Sequence, residues 1–254
     1  MRNKALYLVV FTVLLTAGAA GLSALTVDEA HDILNKIDES RNFTSTDFSA
    51  VMTMISEDPE KGVEKMKVQQ FRRDDKDMFL MLFLEPESKK GQGYLRVDDN
   101  LWFYDPESRK FNHTSMKDSF GGTDAKHSDF RVLSLAEDYK VNTITEGKLG
   151  KFSVYILDLE ALNDEVTYPK EKLWITKDSK LVLKSEDYSG TGRLMRTSLY
   201  PKYAKVSGKY IPTVMIFIDD LIEGKKTQIS MTNISTKTLP DTIFTKSYVE
   251  RVNR

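Results

Sequence analysis

The chain has 254 residues, 40% of them hydrophobic and 30% charged, with a formal net charge of −1. That length buries one large core or two small ones, and the balanced charge lacks the basic excess of a nucleic-acid surface. No cysteine occurs, which excludes disulfides, thiolate metal sites, cysteine nucleophiles and lipidation at an N-terminal cysteine.

Residues 1–24 have the pattern of a secretory signal. Arg2 and Lys4 form the positive start, an apolar run over residues 5–15 follows, and small residues lead to cleavage near Ala24. The run is too short for a membrane span. Its removal takes away the two positive charges of Arg2 and Lys4 and leaves residues 25–254 as one exported domain, soluble and held together by core burial alone.

Thr26 followed by Glu29 has capping-box spacing. Val27, Ala30, Ile33, Leu34 and Ile37 then recur on one side of a helix over residues 27–40. From Phe48 the period becomes two, and strands are expected over 48–56 and 63–73, joined by the turn at Asp58-Pro59-Glu60-Lys61-Gly62. Residues 78–84, MFLMLFL, are apolar without a break and suit a strand ended by Pro86. Residues 94–97 and 101–104 form a hairpin about the Asp98-Asp99-Asn100 turn, its second arm LWFY being large and aromatic on both faces. A loop over 115–123 precedes a short amphipathic helix over 128–138 anchored by Phe130, Leu133 and Leu135. Seven more strands follow, over residues 139–146, 152–159, 172–176, 181–188, 194–205, 210–220 and 225–234. The class is mainly β (α+β): one antiparallel, strongly curved sheet of about 11–12 strands forming an incomplete barrel. The N-terminal amphipathic helix and the short second helix cover its concave side.

Catalytic and metal patterns are absent from the sequence. Ser128, His127 and Asp129 are adjacent on one segment, which does not bring a nucleophile and its base together, and no G-x-S-x-G elbow occurs. His31 has no histidine four residues away, and Gly91-x-Gly93 does not open a helix. No enzyme activity, cofactor or metal is expected. The surplus is apolar instead. Residues 78–84 and 101–104 carry more grease than one core face explains, and Met52, Met54, Met66, Met78 and Met81 cluster in the same strands. Methionine adapts its shape to varied apolar partners. The reading is an apolar cavity lined by Met52, Met54, Met66, Val68, Phe79, Met81, Phe83, Leu95, Leu101, Trp102, Phe103 and Tyr104.

The hairpin Val97-Asp98-Asp99-Asn100-Leu101-Trp102-Phe103-Tyr104-Asp105-Pro106 resembles that of the periplasmic lipoprotein carriers of the LolA type. Pro86, Lys90-Gly91, Leu95, Leu101-Trp102, Tyr104 and Pro106 are similar to a run in LolA-like outer-membrane lipoprotein-sorting proteins. So are Ser119-Phe120-Gly121-Gly122-Thr123-Asp124 and Ser128-Asp129-Phe130 with Leu135. The likeness covers residues 26–140 by motif and the rest by strand pattern, and the chain is longer than the well-known carriers.

This resemblance implies a periplasmic carrier that shelters the acyl chains of a lipoprotein, or another lipid, on the way to the outer membrane. An inner-membrane donor transporter and an outer-membrane acceptor would be its partners, with transient contact at membrane surfaces and no nucleic acid. It also implies a strand arginine, Arg72 or Arg73, that holds a lid shut, the lid helices contributing Leu34, Ile37, Phe130 and Leu133. A lipid-sensing module that regulates an envelope partner, and a structural envelope protein, remain alternatives at this point. Cargo identity and oligomeric state are not encoded in any motif.

Overall fold

The computed structural model describes residues 25–97 and 99–252; the signal pattern over residues 1–24 lies outside them. Helix α1 (Val27–Arg41) begins at the expected box, the Glu29 amide donating to Thr26 Oγ1 at 3.2 Å and the Thr26 amide to Glu29 Oε2 at 2.8 Å. Its buried stripe is Ala30, Ile33, Leu34 and Ile37.

Thirteen antiparallel strands follow: β1 (Phe48–Asp58), β2 (Gly62–Arg73), β3 (Met78–Glu85), β4 (Gly93–Val97), β5 (Asn100–Asp105), β6 (Lys110–His113), β7 (Tyr139–Leu149), β8 (Phe152–Ala161), β9 (Lys170–Thr176), β10 (Val182–Tyr188), β11 (Leu194–Val206), β12 (Lys209–Asp219) and β13 (Lys226–Ser235). They form one curved, open sheet in the order β6-β5-β4-β3-β2-β1-β13-β12-β11-β10-β9-β8-β7. The first six strands run outward to one edge. The chain then crosses to the opposite edge and returns strand by strand until β13 pairs with β1. Residues 114–138 must therefore span the sheet from edge to edge. This strap lies on the same face as α1, its Phe120, Ala125 and Phe130 packing into the inward cluster of β1–β3 and its Leu135 and Ala136 against α1 and β7–β10.

The strap differs from the single helix expected over residues 128–138. It makes a 3-10 turn at His127–Phe130, runs extended past Arg131, and forms only the one-turn helix α2 (Leu135–Asp138). The reason is an outside partner. Asn42, just beyond α1, accepts from the Leu133 amide at 2.8 Å and donates to the Leu133 carbonyl at 2.6 Å, satisfying both groups without a helix. Further on, the Ala136 amide donates to Asp38 Oδ2 at 2.9 Å.

The opposite, convex face also has a cover. A 3-10 turn (Asp241–Phe244) and helix α3 (Lys246–Arg251) bring Ile243, Phe244 and Val249 onto Leu80, Leu82, Leu95 and Tyr104. Alternation along β3 thus sends Phe79, Met81 and Phe83 inward and Leu80 and Leu82 outward, with an apolar neighbour on each side. This accounts for the unbroken apolar run of β3. Among the described residues, no helix is long and apolar enough to cross a membrane.

Candidate functional site

Under the strap, the sheet is filled. Met52, Met54, Met66, Val68 and Met81 are 0% exposed, and the strap's Phe120 stacks on Phe83 with ring centroids 5.4 Å apart and planes 14° apart. Tyr94 and Phe130 complete the aromatic plug, their rings 5.0 and 4.9 Å from Phe120. Gly121 is required here: with φ +58°, it passes so close that an added Cβ would lie 3.1 Å from Phe83 Cζ.

The open space lies farther along the same face. A cavity of about 660 Å³ is bounded by the strap, the end of α1, the loop before β9 and the inward faces of β9–β12. This lies within the 300–1,000 Å³ range of small-molecule sites. Its apolar wall includes Leu133, Leu135, Val166, Leu173, Val182 and Met215. Its other end is polar, with Asp187 and Arg196 buried and Asp129 and Glu171 half-buried. Arg196 donates from Nε to Asp187 Oδ2 at 2.6 Å, and from Nη1 and Nη2 to Asp129 at 2.7 and 3.0 Å. The guanidinium is held between the rings of Tyr168 and Phe217, 4.9 and 4.8 Å from their centroids. Because Asp129 belongs to the strap and Arg196 to the sheet, the pair also fastens one to the other.

Glu171 completes that end. It is in register with Asp187 across β9 and β10, lines the cavity, and accepts from the Tyr139 hydroxyl at 2.8 Å. Burial, and then the charge of Asp187, push its carboxyl up to about 8 from the ordinary 4.5. Between those two values the folded chain holds a proton that the unfolded chain has lost, so stability falls as pH rises through the window. Glu171→Gln keeps an oxygen for Tyr139 and cannot ionise. Thermal unfolding of both proteins should therefore nearly coincide below pH 4.5 and separate by several degrees above pH 8, with the variant more stable. Parallel curves across that range would remove the raised carboxyl of Glu171 from the account.

Solved structures share this fold, among them three that span nearly the whole described chain. The LolA superfamily protein of Nitrosomonas europaea is 26% identical, covers 89% of this chain and 100% of its own, and superposes with a TM-score of 0.75. A domain from Vibrio parahaemolyticus named for outer membrane lipoprotein sorting is 21% identical, with coverage of 89% and 100% and a TM-score of 0.78. A DUF1329 family protein from Desulfovibrio piger is 24% identical, with coverage of 88% and 98% and a TM-score of 0.78. Residues 75–251 match the model of a family described as "-like: Uncharacterized protein". The chain belongs to this family, and it is LolA-like. No curated protein matches it.

In this LolA-like chain, the residues grouped by sequence as cavity lining separate into three places. Leu101 borders the open cavity. Met52, Met54, Met66, Val68, Phe79, Met81 and Phe83 lie in the packed cluster beneath the strap, with Phe103 partly buried against it. Leu95 and Tyr104 lie on the outer face under the C-terminal segment. Trp102, opposite Leu95 in register, joins them there, with Lys246 Nζ 3.2 Å from its ring centroid. Alternation is the physical reason: Trp102 and Tyr104 are out of phase with Leu101 and Phe103.

The two arginines also divide. Arg72 donates to Asp74 at 2.8 and 2.6 Å and to the Arg41 carbonyl at the end of α1 at 3.3 Å. Arg73 faces the C-terminal segment, bonding Asp47 at 2.9 and 3.0 Å, the Leu239 carbonyl at 2.6 Å, and Asp241. Leu34 and Ile37 pack over β7–β10, Phe130 sits in the plug, and Leu133 lines the cavity. Ser128, His127 and Asp129 do not converge: Ser128 Oγ meets Thr167 at 2.8 Å, His127 Nδ1 meets the Ser115 carbonyl at 2.7 Å, and Asp129 is held by Arg196. Burial keeps His127 below its ordinary pKa and therefore neutral at pH 7.

Sequence reading missed Glu171, Asp187 and Arg196. A signal for them exists in phase: Glu171 falls in step with Leu173 and Ile175, and Arg196 with Ser198, all facing inward.

Proposed function

We propose that the protein shelters acyl chains of a lipoprotein, or of another lipid, in the 660 Å³ cavity, and carries them through the periplasm toward the outer membrane. The observation that supports this most is a cavity with one apolar wall, formed by Leu133, Leu135, Val166, Leu173, Val182 and Met215, beneath a strap in a LolA-like fold. Cargo would come from an inner-membrane donor and pass to an outer-membrane acceptor, with brief contact at each membrane surface and no catalytic step.

Burying acyl chain contributes roughly 0.8 kcal/mol per methylene, so one long chain is worth about 10 kcal/mol. A carrier must offset part of that gain in order to release its cargo. The strap supplies an opposing term: lifting it separates Phe120 from Phe83 and exposes the methionines beneath, and their adaptable side chains then offer further volume to longer cargo.

Val132, on the extended part of the strap, lines the cavity and is only partly buried. Val132→Trp should narrow the space while leaving the fold intact. Native mass spectrometry after incubation with an acylated peptide should show adducts on the unaltered protein and at least about tenfold fewer on the variant, a difference of about 1.4 kcal/mol. Only empty unaltered protein, with no co-purifying lipid, would reject the proposal.

A further inference from the structure

Three adjacent strands present a row of charges to the cavity: Glu171 on β9, Asp187 opposite it on β10, and Arg196 opposite Asp187 on β11. Asp129 joins them from the strap. Arg196 is fully committed. Its three nitrogens bond the two aspartates, and the rings of Tyr168 and Phe217 pack against its guanidinium.

Glu171 receives no such partner. Its neighbour on the β8 side is the buried Leu159, its neighbour on the other side is a second acid, and its one hydrogen bond among the described residues comes from Tyr139. Like charges placed directly opposite each other across a sheet are destabilising, and a half-buried carboxyl beside a second acid favours its neutral form. A structural ion-pair cluster would end at Arg196 with Asp129 and Asp187. Glu171 adds an acid to it with no ion pair of its own, on the wall of a cavity that has room for a cation.

We infer that the polar end of the cavity recognises an ammonium group carried by an acyl-bearing ligand, with Glu171 as its counter-ion and Asp187 beside it. This rests on the acyl-shelter reading and specifies the head group of the cargo. A compact ammonium gives donors to the free carboxylate oxygen of Glu171. A carboxylate or phosphate head there would face Asp129, Asp187 and Glu171, with Arg196 already taken and Arg41, which also lines the cavity, packed on the Tyr200 ring at 5.4 Å. The groups that set the charge of Glu171 are Tyr139 from β7, Asp187 from β10, Arg196 from β11, and Asp129 and Tyr168 from the strap and the loop before β9. Ammonium binding at neutral pH therefore drives a proton off Glu171.

Dodecylamine, dodecanol and dodecanoate share one chain and differ in the head. Calorimetric titration of the whole mature protein should give the amine at least about tenfold tighter than the alcohol, and the carboxylate weakest. The amine heat should depend on the ionisation enthalpy of the buffer, which reports release of a proton. In Glu171→Gln, whose fold is checked by thermal unfolding, the amine and alcohol should bind alike and the buffer dependence should vanish. Lysophosphatidylethanolamine and an acylated lysine peptide then distinguish a lipid source of the ammonium from a peptide source. Equal binding of amine and alcohol to the unaltered protein, or an amine preference that survives in the variant, would overturn the inference while leaving acyl shelter standing. Binding of none of the three would remove the acyl-shelter reading itself.

Discussion

Replacing Arg196 with methionine is expected to lower stability by about 3–5 kcal/mol, which for a domain of this size moves the unfolding midpoint by roughly 6–20 °C. The side chain is 8% exposed, and its partners Asp187 and Asp129 are 2% and 15% exposed. Removing the guanidinium leaves Asp187 and Asp129 facing each other and Glu171 with no cation bonded between them. Surface pairs such as Lys67 with Glu85, 39% and 50% exposed, would give under about 1 kcal/mol on the same treatment. The cost lies in the uncompensated charge more than in the lost attraction. The triple change Arg196→Met, Asp129→Asn, Asp187→Asn should therefore recover most of the loss, since an apolar side chain packs between Tyr168 and Phe217. Urea unfolding of the single and triple variants checks this. A loss under about 1 kcal/mol for the single change would mean that water reaches the pair freely.

That cluster also shows where sequence reading reached its limit. Period and punctuation gave α1 and twelve of the strands, because Ile33, Leu34 and Ile37 repeat at helical spacing and the later strands alternate between clear turns. The thirteenth, β6, is four residues long and reads KFNH, too short and polar to carry a period of two. The C-terminal turn and α3 were not anticipated either, and this shaped the reading of the site. Without Ile243, Phe244 and Val249 over Leu80, Leu82, Leu95 and Tyr104, the outward grease of β3–β5 looks like the wall of a cavity. Edge-to-edge passage of residues 114–138 depends on strand order, and strand order depends on which strands pair across 170 residues or more, as Met52 and Met231 do. Nothing local in the chain records that pairing. Asp129, Glu171, Asp187 and Arg196 are scattered over four elements, and each alone resembles an ordinary surface charge.

The same topology makes the strap the part most open to selective loosening, and Phe120→Ala tests it. Phe120 is 0% exposed and touches Phe83, Tyr94, Phe130 and the edge of His127. A buried phenylalanine cut to alanine costs about 3–5 kcal/mol where the surroundings stay in place. The surroundings here are unequal. The sheet beneath is tied by continuous ladders from β6 to β7, whereas the strap enters from β6 through the Thr114 amide on the Leu101 carbonyl at 3.1 Å. Beyond that, up to its junction with β7, where the Leu162 amide donates to the Asp138 carbonyl at 2.8 Å, it is anchored by side chains: Phe120 and Phe130 in the plug, Asp129 on Arg196, Asp124 on Thr227, Lys89 on the Gly121 carbonyl, and Asn42 on Leu133. Segments held this way open separately from the ladders. Amide exchange across residues 114–134 should therefore accelerate by roughly two to four powers of ten, the equivalent of 3–5 kcal/mol, while amides in β1, β2, β12 and β13 keep their protection. Exchange of acylated peptide should quicken in parallel, since the strap that covers the methionines also bounds the cavity. Equal acceleration in strap and central strands would instead make the strap a fixed plug that opens only when the whole sheet does, and cargo would then have to enter past Val166 and Leu133 without it.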